Sequence, residues 1–203
     1  MATGPTGAMA EWTGRIVWWR AHHVVSCQGS SPAHPFEAVD GWHRCFAGRD
    51  ALEIGPGAGR QAAALMPHCQ TYTVADIVPE ILALPLYQPA GRFQIHNYRT
   101  DRIGRTFGVI SFWYLVHHLR ADEIDDFFDF IAAHAHEGAD LLFNIPGPTP
   151  PHTLLAEGPG DGRKTTPHDP ARVCDTLTAR GFTLRSESVQ DYSSHVMHWT
   201  KPA

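Results

Sequence analysis

The chain is short of features that mark several protein classes. It has four cysteines, Cys27, Cys45, Cys69 and Cys174, and no two of them form a C-x-x-C pair. That removes a zinc knuckle legible from sequence and leaves reduced thiols in a cytoplasmic protein as the default reading. It lacks basic excess: 16 Lys plus Arg stand against 21 Asp plus Glu, a formal net charge of -5. Such a balance argues against a nucleic-acid partner, whose phosphates need cationic surface. Its longest apolar run, VISFWYLV at 109–116, is far short of the roughly 20 residues that span a bilayer, so no membrane partner is expected. The start MATGPTGAMAEW has neither the basic opening nor the apolar stretch of a secretory leader. There is no H-E-x-x-H and no G-x-S-x-G, hence no local metalloprotease or serine-hydrolase pattern.

What remains fits one globular domain: 203 residues, 43% hydrophobic and 18% charged. Residues 1–10 are small and rich in Gly and Pro, and read as a disordered tail. Residues 11–203 read as one domain. An aromatic-rich segment, 11–48, holds Trp12, Trp18, Trp19, Phe36, Trp42 and Phe46, with Ser31 or a neighbour able to cap a helix. From residue 51 apolar strands alternate with helices. The spacing predicts strands at 51–54, 71–75, 93–97, 107–112 and 140–145. It predicts helices at 58–66, 79–87 and 121–137 between them. A Gly/Pro-rich loop at 146–168 follows, then a helix at 169–180 and strands at 182–189 and 192–200. Alternation of this kind implies parallel β-α-β units and an α/β, doubly wound sheet. The last two strands are too close for a parallel crossover and must form an antiparallel hairpin.

The strongest chemical signal is ALEIGPGAGR at 51–60: Glu53 on a strand, then Gly55, Gly57 and Gly59 leading into a helix. Glycines at such a turn let a ligand lie against the backbone, although a plain tight turn uses them too. A dinucleotide fingerprint needs its last glycine at position 60, which is Arg60. The next strand ends in Asp76, followed by Ile77, at the offset where an acid accepts ribose hydroxyls. A third segment, FGVISFWYLVHHL at 107–119, ends an apolar strand in His117 and His118.

Taken together, ALEIGPGAGR, VADIVPEIL and FGVISFWYLVHHL resemble motifs of the class I S-adenosylmethionine (SAM)-dependent methyltransferases. The resemblance covers roughly residues 45–200. It implies a Rossmann-like fold of seven strands, mostly parallel, with an antiparallel last strand and the cofactor at the carboxyl edge of strands one, two and four. It implies SAM as cofactor and S-adenosylhomocysteine (SAH) as product. Cofactor contacts are expected from Glu53, Gly55, Gly57, Gly59, Asp76, Ile77, Asn97, Tyr98, Phe112 and Trp113. His117 and His118 stand as a general base or as structural residues. Trp18, Trp19, His22, His23 and Tyr114 are expected at the substrate, with 11–48 acting either as a lid or as plain core cover. The loop 146–168 should border the acceptor pocket. Two positions depart from the family pattern: Gly108 and Asn97 stand where the family usually carries Asp.

The resemblance fixes no acceptor beyond a nucleophilic N, O, S or C atom of a small molecule, in a monomer or homodimer. A SAM-binding enzyme of other chemistry, or a SAM-binding sensor or partner subunit, are the alternatives. Two rival sites are weaker. DDFFD at 125–129 spells the D-D-x-x-D of terpene synthases, but a strand-rich chain is not their helical fold, and acids suit the first turns of a helix. The 14 histidines show no metal-ligand spacing, so no metal is expected.

Overall fold

The computed structural model describes residues 34–145, 168–190 and 194–203. Seven strands make one sheet in the order β3-β2-β1-β4-β5-β7-β6. They are β1 (Asp50–Ile54), β2 (Thr71–Asp76), β3 (Gly91–Gln94), β4 (Phe107–Phe112), β5 (Ala135–Ile145), β6 (Thr183–Gln190) and β7 (Ser194–Thr200). The first five are parallel to one another, and β7 runs antiparallel between β5 and β6. From β1 the chain steps outward through β2 to β3, then returns to the other side of β1 as β4. That reversal opens a crevice at the carboxyl ends of β1 and β4.

Alternation along the strands builds two cores. Leu52, Ile54, Ile110, Phe112, Leu141 and Phe143 face one side, under α4 (Ile124–His134) and α5 (Pro170–Ala179). Ala51, Val74, Val109, Leu142 and Val196 face the other. They lie under a 3-10 turn at Pro35–Ala38 and three short helices, α1 (Trp42–Phe46), α2 (Arg60–Leu65) and α3 (Pro79–Leu82). Every residue of β4 is buried, as its unbroken apolar run requires.

Several boundaries differ from expectation, each for a local reason. The helix expected at 79–87 stops at Leu82, and a 3-10 turn Pro85–Tyr87 follows, because Pro85 cannot continue it. The helix expected at 121–137 ends at His134, and β5 begins at Ala135. Gly138 holds φ at 78°, which a helix excludes, and its N–H donates to Lys201 O at 2.7 Å. Lys201 Nζ in turn donates to the carbonyls of Ala132 and Ala135, closing the helix with a cation at its negative end. β3 is Gly91–Gln94 rather than 93–97, since Gly91 lies where a Cβ would come within 2.8 Å of Thr73 Oγ1. Ser31 lies outside the described residues.

The terpene-synthase reading of DDFFD is overturned. Asp125 and Asp129 both pair with Arg180 of the segment after α5, and Asp126 pairs with Arg99. His134 and His136 do not share a helix: His134 ends α4 and accepts the Ile103 N–H, while His136 sits on β5.

Phe112 is fully buried at the centre of an aromatic cluster in the first core. Its ring stacks on Phe143 at 4.7 Å and meets Phe127 edge-on at 5.0 Å. Phe112→Ala should therefore cost about 3–5 kcal/mol in urea unfolding, the range for an aromatic removed from a closed core. A loss under about 1 kcal/mol would contradict this packing.

Candidate functional site

The crevice is built from strand ends. Gly55, Gly57 and Gly59 follow β1, Asp76 ends β2, and Trp113 and Tyr114 leave β4. All three glycines sit in the left-handed region, at φ 65°, 55° and 88°. A Cβ on Gly59 would meet Leu86 Cδ2 at 2.1 Å, and one on Gly55 would meet Leu115 Cδ1 at 3.1 Å. The loop is pinned from β2 by the Gly55 N–H to Ala75 O at 2.8 Å. Tyr87 braces it from beneath, its hydroxyl donating to Gly57 O at 3.0 Å. Sequence reasoning missed Tyr87, because nothing in PLYQ announces a contact thirty residues back.

Glu53 faces the second core and is only 2% exposed. Tyr72 of β2 donates its hydroxyl to Glu53 Oε2 at 2.6 Å. Burial pushes the Glu53 carboxyl up to about 7, and nearby Asp76 adds to the rise while the Tyr72 hydrogen bond opposes it. Asp76 is also buried, and its Oδ1 accepts the Val78 N–H at 2.9 Å, which fixes the turn into α3. Ile77 is half-buried between both cores at the lip.

Beside Glu53, across the β1–β4 register, stands Ser111. Its Oγ is buried without a hydrogen-bond partner among the described residues, and so is Trp113 Nε1. Trp113 meets Phe36 edge-on at 5.9 Å. Tyr114 is 44% exposed and is the one non-glycine residue at positive φ, 54°, among the described residues. Its N–H donates to Oδ1 of Asn144, at the end of β5, at 2.7 Å, and Asn144 Nδ2 donates to Ser194 Oγ at 3.1 Å. A fully buried Asn thus holds a strained backbone at the mouth of the crevice. The only sequence signal for it was a polar residue inside the apolar strand DLLFNI. His117 and His118 lie on a 3-10 turn, Val116–His118, both half-buried, with ring centroids 3.8 Å apart.

Two cofactor expectations are corrected. Phe112 turns away from the crevice into the first core, where it is fully buried among Phe127, Phe128 and Phe143. Tyr98 is likewise buried, edge-on to Phe127 and Phe130, so its ring is not open to stack on a ligand. Asn97 is exposed, but its Oδ1 accepts the Arg99 N–H at 2.9 Å in a local turn. Trp18, Trp19, His22, His23 and the loop 146–167 lie outside the described residues. Of the 11–48 segment, Phe36 and Phe46 are core and Trp42 packs on both.

The raised Glu53 carboxyl has a consequence for stability. As pH climbs from about 4.5 to about 7, the unfolded chain gives up this proton while the native protein keeps it. Stability therefore falls across that window from this group and is level above it. Glu53→Gln keeps an acceptor for Tyr72 and cannot ionise. Its melting temperature should lose that decline and gain on the parent above about pH 7. Parallel pH curves for the two proteins would refute the assignment.

No family model and no curated protein matches the chain in sequence. Solved structures do match in shape. The complex of DhpI with SAH aligns with TM-score 0.72 at 17% identity, over 94% of this chain and 97% of that one. The N-methyltransferase NodS from Bradyrhizobium japonicum WM9, in complex with SAH, gives 0.69 at 16% identity, over 94% and 100%. The 1,6-didemethyltoxoflavin-N1-methyltransferase of Burkholderia thailandensis, with its substrate and SAH bound, gives 0.69 at 15% identity, over 100% and 94%. The seven-stranded order, the antiparallel β7 and these alignments agree: the chain has the fold of the class I SAM-dependent methyltransferases.

Proposed function

We propose that the chain is a SAM-dependent methyltransferase that acts on a small molecule. The observation that carries this is the crevice at the β1–β4 switch point. There a left-handed glycine loop, with buried Glu53 and Asp76 beside it, ends two adjacent strands of a fold whose solved examples include complexes with SAH and SAM. The residues fit such a cofactor. The glycines leave the backbone bare, and the Ser111 hydroxyl beside Glu53 and the Trp113 indole N–H are buried without partners among the described residues.

SAM supplies an electrophilic methyl on a sulfonium, so the protein's work is alignment and exclusion of water. Asp76 accepts the ribose hydroxyls, and Ile77 flanks the adenine. Glu53 offers a carboxylate to the ammonium of the amino-acid tail, directly or through water. Gly55, Gly57 and Gly59 give the backbone surface on which the tail lies. Tyr114, held at its strained φ by Asn144, presents an exposed phenol to the acceptor. His117 takes a proton from the acceptor where one must leave, and His118 supports it. Trp113 closes the crevice on the side of Phe36.

Three experiments test this reading. Asp76→Ala should weaken SAM binding in calorimetry by about 1.5–3 kcal/mol, because buried hydroxyls lose a charged acceptor. Unchanged affinity would remove Asp76 from the site. For turnover, a screen of small amines, phenols, thiols and carbon acids should yield a methylated product and SAH. With an acceptor in hand, His117→Asn should lower the rate but spare SAM affinity. A variant with the parent's rate would return His117 to a structural role. Binding of SAM with no turnover on any acceptor would mark a sensor or partner subunit instead.

A further inference from the structure

At the opposite edge of the sheet from the crevice, three side chains from three elements meet. Cys45 comes from α1, Asp140 from β5 and His198 from β7. Asp140 pairs with Thr200 and Leu142 with His198, so Asp140 and His198 are diagonal neighbours on one face, and α1 lays Cys45 over them. His198 Nε2 is 2.7 Å from Asp140 Oδ1 and 3.8 Å from Cys45 Sγ. One donor atom from each residue lies within 4.8 Å of the other two. Cys45 is buried, and Asp140 and His198 are nearly so.

A cysteine, a histidine and an acid invite comparison with a catalytic triad, but the geometry forbids one. A triad needs the acid on one ring nitrogen and the nucleophile on the other. Here the carboxylate and the sulfur both approach Nε2. Three donor atoms within 4.8 Å of one another suit a shared cation. We propose that Cys45, Asp140 and His198 form a binding site for a thiolate-preferring divalent cation, with Zn2+ the best fit.

Tetrahedral zinc, with Zn–S of about 2.3 Å and Zn–N of about 2.0–2.1 Å, places S and N ligands about 3.6 Å apart. The observed sulfur–nitrogen separation is 3.8 Å. The nitrogen–oxygen separation of 2.7 Å is that of a hydrogen bond, and has to open by roughly 0.6 Å once the ion replaces the Nε2 proton. Binding is balanced in protons. The imidazole keeps its single proton by moving it to Nδ1, the thiol proton passes to solvent as the sulfur–metal bond forms, and one proton leaves per ion. Water fills the fourth position. Mg2+ and Ca2+, which take oxygen ligands, are excluded by a donor set that is two-thirds sulfur and nitrogen.

The carboxylate is also supported from behind. Arg49 donates to Asp140 Oδ2 and to Gly138 O, leaving Oδ1 directed at the site. Such an outer partner orients a ligating carboxylate. An ion here ties α1 to β5 and β7, three pieces the chain joins only through long detours. The site lies away from the crevice and does not depend on the proposed methyl transfer.

The test uses the full chain, stripped with chelator and titrated with Co2+. The expected result is one ion per chain, with the near-ultraviolet thiolate-to-cobalt charge-transfer band and the strong visible bands of tetrahedral cobalt. Zn2+ should displace it and raise the melting temperature. Cys45→Ser should lose the charge-transfer band, and His198→Gln should bind Zn2+ at least about tenfold more weakly. The two variants serve as independent checks should one of them fold poorly. A charge-transfer band that survives Cys45→Ser, Zn2+ affinity unchanged in His198→Gln, or a parent melting temperature indifferent to both Zn2+ and chelator would each overturn the site.

Discussion

The crevice depends on one constraint, the backbone between β1 and α2. Gly55, Gly57 and Gly59 all hold positive φ there, where an L side chain is strained and where, at Gly59, a Cβ would strike Leu86. Bending the chain this sharply lets β1 end on a bare peptide surface while α2 starts at once on the far side. Other features follow from that turn. Tyr87 is needed beneath it, since a loop of glycines has no side chains with which to anchor itself. Leu115 is needed above Gly55, so the segment after β4 must pass over the loop, and His117 and His118 are carried along with it.

The same edge concentrates polar groups that an apolar sheet would not tolerate without cause. Glu53, Ser111 and Asn144 stand on successive neighbouring strands, all on the face of the second core and all buried. Asn144 is fully satisfied by local work, since it holds Tyr114 and reaches Ser194. Ser111 is not, among the described residues, and Glu53 is held at a raised proton affinity with Tyr72 as its hydrogen-bond partner there. A buried carboxylate and an unpartnered hydroxyl are costly, and such cost clusters where a ligand later satisfies it. Asn144 does what this edge needs in order to fold, whereas the Ser111 hydroxyl stays buried without a partner among the described residues.

How much of this was legible follows from how local each signal is. The glycine loop, Asp76 and the buried β4 are written in contiguous residues, and the hairpin of β6 and β7 follows from a short connection. These could be read directly. Phe112 and Tyr98 were misplaced because a motif gives position along a strand but not the face on which an aromatic ring packs, and α4 supplied three phenylalanines to claim them. The start of β5 was missed because Gly138 and the reach of Lys201 outweigh helix periodicity, and that reach comes from the far end of the chain. Tyr72, Tyr87 and Asn144 act across strand pairings that no single segment contains. The Cys45, Asp140 and His198 cluster is the extreme case, since its spacing in sequence carries no pattern at all.

The other edge of the sheet explains the departure at Gly108, where the resembled family usually carries Asp. A Cβ at Gly108 would lie 2.9 Å from Arg49 Nε and 3.2 Å from His136 Nε2. The space that a side chain would occupy is taken by Arg49, which crosses β4 to reach Asp140 and Gly138 on β5. The acid that meets Arg49 here is Asp140 on β5, and the ion pair ties the residue before β1 to β5. An Asp at 108 would not join this arrangement. It would place a carboxylate in the path of Arg49, compete with Asp140 for the one guanidinium, and leave Asp140 with His198 alone. Gly108 and Asp140 are therefore one feature, readable as such only when the register between β4 and β5 is known.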